Sequence, residues 1–323
     1  MLAIQAVRTG GPEVLEAVDL PVPTPGPGQI LVRNAAIGLN YIDTYFRSGL
    51  YPAKLPAVLG LEGAGVVEAV GEGVTRFKVG DRAAYGNGPM GAYAEAHLVS
   101  ADRAVKIPKG VDTETAAAAM LKGMTAEFLL RRCYPVKAGD TILVHAAAGG
   151  VGQILVQWAV SLGARVIGTA GSADKAAVAK GLGCEEVILY RDEDVAARVK
   201  ALTGGAGVRV VYDGVGAATF EGSLSSLGRR GMLVSYGNAS GPAPAVLPLR
   251  LSQGGSLFLT RPTLFDYVAT TPELDSSAKA LFAVIASGAV KIQIGQRFAL
   301  KDARAAHEAL EGRETVGATL LIP

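Results

Sequence analysis

Cysteine is scarce: Cys133 and Cys184 are the only two in 323 residues. Two cannot build a disulfide framework, so a reducing compartment is expected. Histidine is nearly as rare. His97, His145 and His307 lie far apart, with neither Cys-x-x-Cys nor His-x-x-x-His spacing, so no metal site is expected. There is no Gly-x-Ser-x-Gly elbow, and neither cysteine has an obvious base, which leaves nucleophilic catalysis without a candidate. An excess of one charge is also missing: 31 Lys and Arg face 29 Asp and Glu, a net charge of +2. With no basic run, nucleic acid and anionic membrane are not expected as main partners. The opening Met1-Leu-Ala-Ile-Gln-Ala-Val-Arg8 has no basic segment leading into an apolar one, so no secretory leader is expected and the location predicted is cytoplasmic. Ala146 to Ala164 is apolar enough to resemble a membrane span. Gln153, Gln157 and the glycines make a buried helix the better reading.

What the chain does have is glycine, 42 residues of it, within a composition that is 50% hydrophobic and 19% charged. That composition suits a compact α/β protein, and the length allows two domains. The most informative glycines follow Asp140-Thr-Ile-Leu-Val-His145. There, Ala147-x-Gly149-x-x-Gly152 is the dinucleotide fingerprint with Ala at its first position. Glycine lets the backbone approach a diphosphate, and the helix that follows offers unpaired N–H groups and the positive end of its dipole. A second strand-like run, Arg165-Val-Ile-Gly-Thr169, returns after a helix-length interval and completes a βαβ unit.

The rhythm divides the chain. Residues 1–124 are β-rich and turn-punctuated, the pattern of a partly closed antiparallel barrel. From 125 to 262, strand-like runs at 141–145, 165–169, 186–189, 208–213 and 231–236 alternate with helices, with Gly255 to Thr260 as one further strand. This predicts a doubly wound parallel Rossmann sheet. Residues 263–323 carry two helices and a closing strand, and are predicted to rejoin the first domain.

Two further stretches bear on chemistry. A site for NAD usually has Asp or Glu about 20 residues past the fingerprint, to accept from the ribose hydroxyls. This chain instead has Gly168-Thr-Ala-Gly171-Ser172-Ala-Asp174-Lys175. Small residues leave room, Ser172 can donate to a phosphate and Lys175 can neutralise one. Tyr190 and Arg191, after the third strand, can close over the same group. The pattern predicts a 2′-phosphate and therefore NADPH; the plainer alternatives are a helix cap at Ser172 and a solvated Lys175. The run Asn40-Tyr-Ile-Asp43-Thr-Tyr45-Phe-Arg-Ser-Gly-Leu-Tyr51 is aromatic in a protein with only 6% aromatics. It reads either as a helix capped by Asn40 and Asp43 with core tyrosines, or as an aromatic wall for a flat ring.

Together these motifs resemble the zinc-free quinone oxidoreductases, the zeta-crystallin-like branch of the medium-chain dehydrogenases/reductases. The resemblance runs end to end. It rests on Gly11-Pro-Glu-Val-Leu15, Ala36-Ile-Gly-Leu-Asn40, Arg47-Ser-Gly-Leu-Tyr-Pro52, His145-Ala-Ala-Ala-Gly-Gly-Val-Gly152, Tyr236-Gly-Asn-Ala-Ser-Gly241 and Ala306-His-Glu-Ala-Leu310. Gly60-Leu61-Glu62 stands where zinc-containing relatives have Gly-His-Glu, and the cysteine-rich lobe is missing.

The resemblance implies a GroES-like catalytic domain, NADPH as cofactor and a homodimer joined through Rossmann-sheet edges near Leu257. It implies that Asn40, Asp43, Tyr45 and Tyr51 line the nicotinamide and substrate cleft, and that Thr125 contacts the cofactor. Gly149, Gly150 and Val151 would hold the diphosphate. Gly171, Ser172, Lys175 and Tyr190 would hold the adenosine phosphate, Tyr236, Gly237 and Asn238 would border the nicotinamide, and Arg313 would reach back from the tail. Asn40, Tyr45 and Tyr51 are then the catalytic candidates, with Asn40 or a tyrosine hydroxyl donating to the carbonyl oxygen of a quinone. Reduction of an α,β-unsaturated carbonyl, alkenal or enoyl thioester, is the alternative, and RNA binding or a structural role a minor one.

Overall fold

A computed structural model describes residues 1–323. The chain forms two compact units, one of residues 1–124, 268–288 and 292–323, the other of residues 125–267 and 289–291. The return to the first unit thus comes later than position 263. Tyr267 stacks on Phe128 with ring centroids 4.3 Å apart, and its carbonyl accepts from Arg132 at 2.6 Å, which holds Leu264–Tyr267 in the second unit. Gln157 likewise retains Lys291, accepting from its N–H and donating to its carbonyl.

In the first unit a seven-stranded sheet runs in the order Ile294–Ala299, Ala318–Ile322, Gln29–Leu39, Glu62–Val70, Arg82–Tyr85, Val105–Lys106, with Ala96–Ser100 also pairing Gln29–Leu39. The pairings are antiparallel, as the turn-punctuated pattern predicts, apart from one parallel pair, Ile294–Ala299 with Ala318–Ile322. A parallel pair needs a crossover, and helix Ala303–Glu311 lies between those two strands in sequence. A three-stranded sheet of Leu15–Asp19, Leu2–Ala6 and Ala57–Val58 accompanies it. Two helices matter for the site: α1, Tyr41–Ser48, and α2, Thr113–Phe128.

The second unit is a six-stranded parallel sheet ordered Glu186–Leu189, Arg165–Ala170, Thr141–Val144, Val208–Asp213, Leu227–Ser235, Phe258–Thr260. Its central strands are buried almost continuously, as befits a sheet covered on both faces. The fifth strand starts four residues before 231, through an irregular stretch in which Arg230 takes a φ of 59°. The helix after the first strand is α3, Gly150–Ser161, and the next is α4, Ala173–Gly181. The apolar Ala146–Ala164 region resolves into the turn and α3, and no helix is long and apolar enough to cross a membrane.

Candidate active site

Strand order reverses on either side of Thr141–Val144, the switch point where open parallel sheets bind ligands beyond their carboxyl ends. The fingerprint turn sits there. Gly149 caps α3 without a side chain and its N–H donates to the Ala146 carbonyl at 2.9 Å, so no side chain competes for the first helical amides. Gly149, Gly150 and Val151 are partly exposed, which leaves their backbone within reach of an anion. A Cβ at Gly152 would stand 2.2 Å from the Ala146 carbonyl oxygen, so only glycine permits this close packing. Behind the turn, His145 bonds Thr169 at 3.1 Å and Ser223 at 2.9 Å, and Ser223 donates to Asp213. His145 is buried, and burial lowers its pKa; both ring nitrogens are bonded behind the turn, which it braces.

The next strand ends at Ala170, and no acid follows it directly. Ser172 caps α4, accepting from the Lys175 N–H at 3.4 Å. Because Oγ is used there as an acceptor, its hydrogen stays available to donate. Asp174 lies in the helix's first turn, exposed. A Cβ on Gly171 would stand 2.6 Å from the Tyr190 hydroxyl, so Tyr190 leans over Gly171. Gly171, Ser172, Lys175 and Tyr190, spread over twenty positions, thus converge on one corner.

At the end of the fifth strand, Tyr236 donates its N–H to the Asp213 carbonyl at 2.8 Å. A Cβ on Gly237 would approach the Gly214 carbonyl oxygen to 2.3 Å, so two strand ends pack together through glycine. With its amide turned, Asn238 accepts from Arg261 at 3.2 Å. Thr125, 8% exposed, opens this unit on α2.

In the first unit α1 carries the aromatic cluster. Tyr45 meets Tyr51 edge-on at 5.2 Å and Tyr41 at 6.4 Å, while Tyr41 bonds the Leu310 carbonyl. The capping box forms: the Asn40 N–H donates to Asp43 at 2.9 Å. Two expectations change here. Asp43 has no exposed surface and so lines no cleft; its carboxylate holds the start of α1 and accepts from the Tyr93 hydroxyl. Burial pushes its pKa up to about 7 against the lowering effect of those bonds. Asn40, in turn, is not a free donor. Its Nδ2 donates to the Gly38 carbonyl at 3.2 Å and to Glu62 at 2.8 Å, which occupies both hydrogens.

Glu62 and Lys122 were not among the sequence candidates, yet they form a buried ion pair of 2.7 Å beside Asn40. The signal was present: each is a lone charge in an apolar stretch. Arg313 lies just beyond the helix Ala303–Glu311, exposed, with a φ of 60°. The remaining histidines sit apart. His97 bonds the Pro89 carbonyl, and His307 bonds Arg47 and Tyr93. No three His, Cys, Asp or Glu side chains are grouped to hold a metal ion.

Two family descriptions match the chain: alcohol dehydrogenase GroES-like domain over residues 26–109, and zinc-binding dehydrogenase over residues 150–283. A quinone oxidoreductase of Pseudomonas aeruginosa is 54% identical over 99% of both chains. The crystal structure of a Pseudomonas syringae quinone oxidoreductase superposes with a TM-score of 0.98 at 55% identity, covering 100% of this chain and 99% of that one. An Escherichia coli quinone oxidoreductase complexed with NADPH does so at 0.98 and 49%, covering all of both. Identity of this size from end to end shows that the chain belongs to the quinone oxidoreductases of the medium-chain dehydrogenase/reductase family.

Proposed function

We propose that this protein reduces quinones with NADPH and uses no metal ion. One observation carries the cofactor choice: the corner where an acid would select NADH holds Ser172, Lys175 and Tyr190 around Gly171. The fingerprint turn fits a diphosphate, because its glycines clear the backbone and the α3 N–H groups face outward uncapped. Thr125, Tyr236, Gly237, Asn238 and Arg313 are assigned to the nicotinamide half, on the strength of the resemblance and their places at the strand end and in the tail.

NADPH supplies the reducing electrons. The chain's own part is to bind, orient and place charge. Tyr45 and Tyr51 offer an aromatic wall for a flat ring, and their hydroxyls are the donors assigned to the carbonyl oxygen on which negative charge builds. Asn40 serves as an acceptor, its donors being engaged. No buried acid reaches outward, so the completing proton is assigned to water. The same groups would serve a conjugated alkene, but the relatives named above favour quinones.

Metal independence is supported by the chain's own residues: its histidines are dispersed and each is bonded elsewhere. A homodimer through the sheet edge is supported by the edge strand Phe258–Thr260, in which Phe258 is 55% exposed. A cytoplasmic location is supported by two unpaired cysteines.

The test is NADPH oxidation with benzoquinone, naphthoquinone, a short enone and a crotonyl thioester, with and without a chelator. Turnover fastest on quinones and indifferent to the chelator is expected. No turnover on either quinone would overturn the reading.

A further inference from the structure

Glu62 opens its strand with no exposed surface, yet its carboxylate accepts three hydrogen bonds. Oε2 takes Asn40 Nδ2 at 2.8 Å and Lys122 Nζ at 2.7 Å, and Oε1 takes the Leu121 N–H in α2 at 2.7 Å. Lys122 is 4% exposed. The backbone is shaped around this group, since a Cβ on Gly38 would stand 2.0 Å from Oε2. An apolar pair of similar volume would often be as stable as a buried ion pair, so stability alone does not account for one here.

What the pair does geometrically is fix Asn40. One hydrogen of its amide goes to Glu62 and the other to Gly38, so the nitrogen end is held inward; Oδ1 faces the Asp43 N–H in the capping box and keeps its second lone pair for a ligand. A neutral amide on a free rotor can turn over and present either end. An amide tied to a buried carboxylate cannot turn without stripping an acceptor bond from that charge.

We propose that Glu62, with Lys122 as its counter-ion, is a positioning residue that presents Asn40 to the bound ligand as an obligatory hydrogen-bond acceptor. The ligand group it selects is an N–H or O–H donor, of the kind carried by a carboxamide or a hydroxyl. This rests on the functional reading above, in which Asn40 borders the reacting groups.

The test compares wild type with Glu62→Gln and with Glu62→Gln/Lys122→Met, which leaves no unpaired buried charge. The first readout needs no cofactor: the Asn40 side-chain amide, identified in ¹⁵N spectra by its loss in Asn40→Ser, should show slow hydrogen exchange that Glu62→Gln abolishes. The second is the single-turnover rate of NADPH oxidation by a quinone. It should fall about tenfold or more in both variants, with NADPH affinity held within about twofold and near-UV circular dichroism unchanged.

A merely structural role predicts instead that the double variant regains the wild-type rate, and that result would overturn the proposal. So would an Asn40 amide indifferent to Glu62→Gln. Wild type that oxidises no NADPH would fail the functional reading instead, and the amide measurement would still decide whether Glu62 holds Asn40.

Discussion

Arg47 donates from Nη1 to Nδ1 of His307 at 2.9 Å, and a guanidinium has no lone pair to accept in return. The proton of His307 is therefore on Nε2 and points to the Tyr93 hydroxyl oxygen at 3.0 Å; Tyr93 in turn donates to Asp43 at 2.9 Å. This neutral imidazole, buried and facing a guanidinium, is pushed down to about 3 by burial and then by Arg47. Burial pushes His97 down to about 4.

Stability should therefore depend on pH with a defined sign. Unfolded histidine titrates near 6.5, about three units above these folded values, so the unfolded chain binds more protons below that pH. The two histidines' contribution is complete above the unfolded value and is lost as pH falls toward 4 and 3. Asp43 acts oppositely: its pKa of about 7 lies above the ordinary 3.8, so its contribution is lost as pH rises through that window. His145, also lowered by burial, joins these two against the single proton of Asp43, so the net acid destabilisation is at least about 1.4 kcal/mol per pH unit between pH 4.5 and 6. Urea midpoints measured from pH 4.5 to 6 should show it, with the dependence flattening near pH 7 as Asp43 ionises. Asp43→Asn should steepen the slope, and an unchanged slope would count against the assignment.

Lys122→Met strands the Glu62 carboxylate without a counter-ion. Breaking a buried pair on one side costs about 3–5 kcal/mol, whereas removing both charges is often neutral. The single variant should unfold at markedly lower urea, and Glu62→Gln/Lys122→Met should recover most of that loss. Equal stability of the two would show that the pair carries little of its charge.

Gly152→Ala places a methyl group 2.2 Å from a backbone carbonyl oxygen, which cannot rotate away. The turn must shift, and NADPH affinity should fall about a hundredfold. Gly171→Ala meets the outer end of the Tyr190 phenol, its hydroxyl at 2.6 Å and Cζ at 3.0 Å, and a side chain can swing aside where a backbone carbonyl cannot, so its loss should be smaller. Calorimetric titration of both variants ranks them, and the reverse order would refute the geometry.

Lys175→Ala should weaken NADPH by about tenfold to a hundredfold, the range of a charge-assisted phosphate contact, and leave NADH unchanged. Dissociation constants for both nucleotides on both proteins decide it. Wild type that binds them equally would remove the phosphate from this corner.

Phe258→Lys puts a charge on the exposed edge strand of the six-stranded sheet. Sedimentation equilibrium should find wild type dimeric and the variant monomeric. A wild-type monomer would end the dimer proposal.

Much of the second unit could be read from residues alone. Strands Glu186–Leu189 and Val208–Asp213 fall on the runs picked out by apolar continuity, and α3 begins at its glycine turn. These are local signals, because a buried parallel strand must be apolar along its length and a tight turn beside an anion must be glycine. The start of Leu227–Ser235 was hidden, since Leu227 joins the sheet only by pairing with the distant Val208, and Gly228-Arg-Arg-Gly231 falls in the irregularity before pairing resumes at Met232.

Sequence by itself determined the α/β class, the dinucleotide turn and the want of an acid after the second strand, for each is written in neighbouring residues. Only the tertiary structure decided the roles around Asn40. It buried Asp43 and joined Glu62 to Lys122 across 60 positions, with both of Asn40's donors engaged. Hydrogen-bond partners and desolvation belong to the folded arrangement, and no spacing along a chain records which buried donor has already found its acceptor.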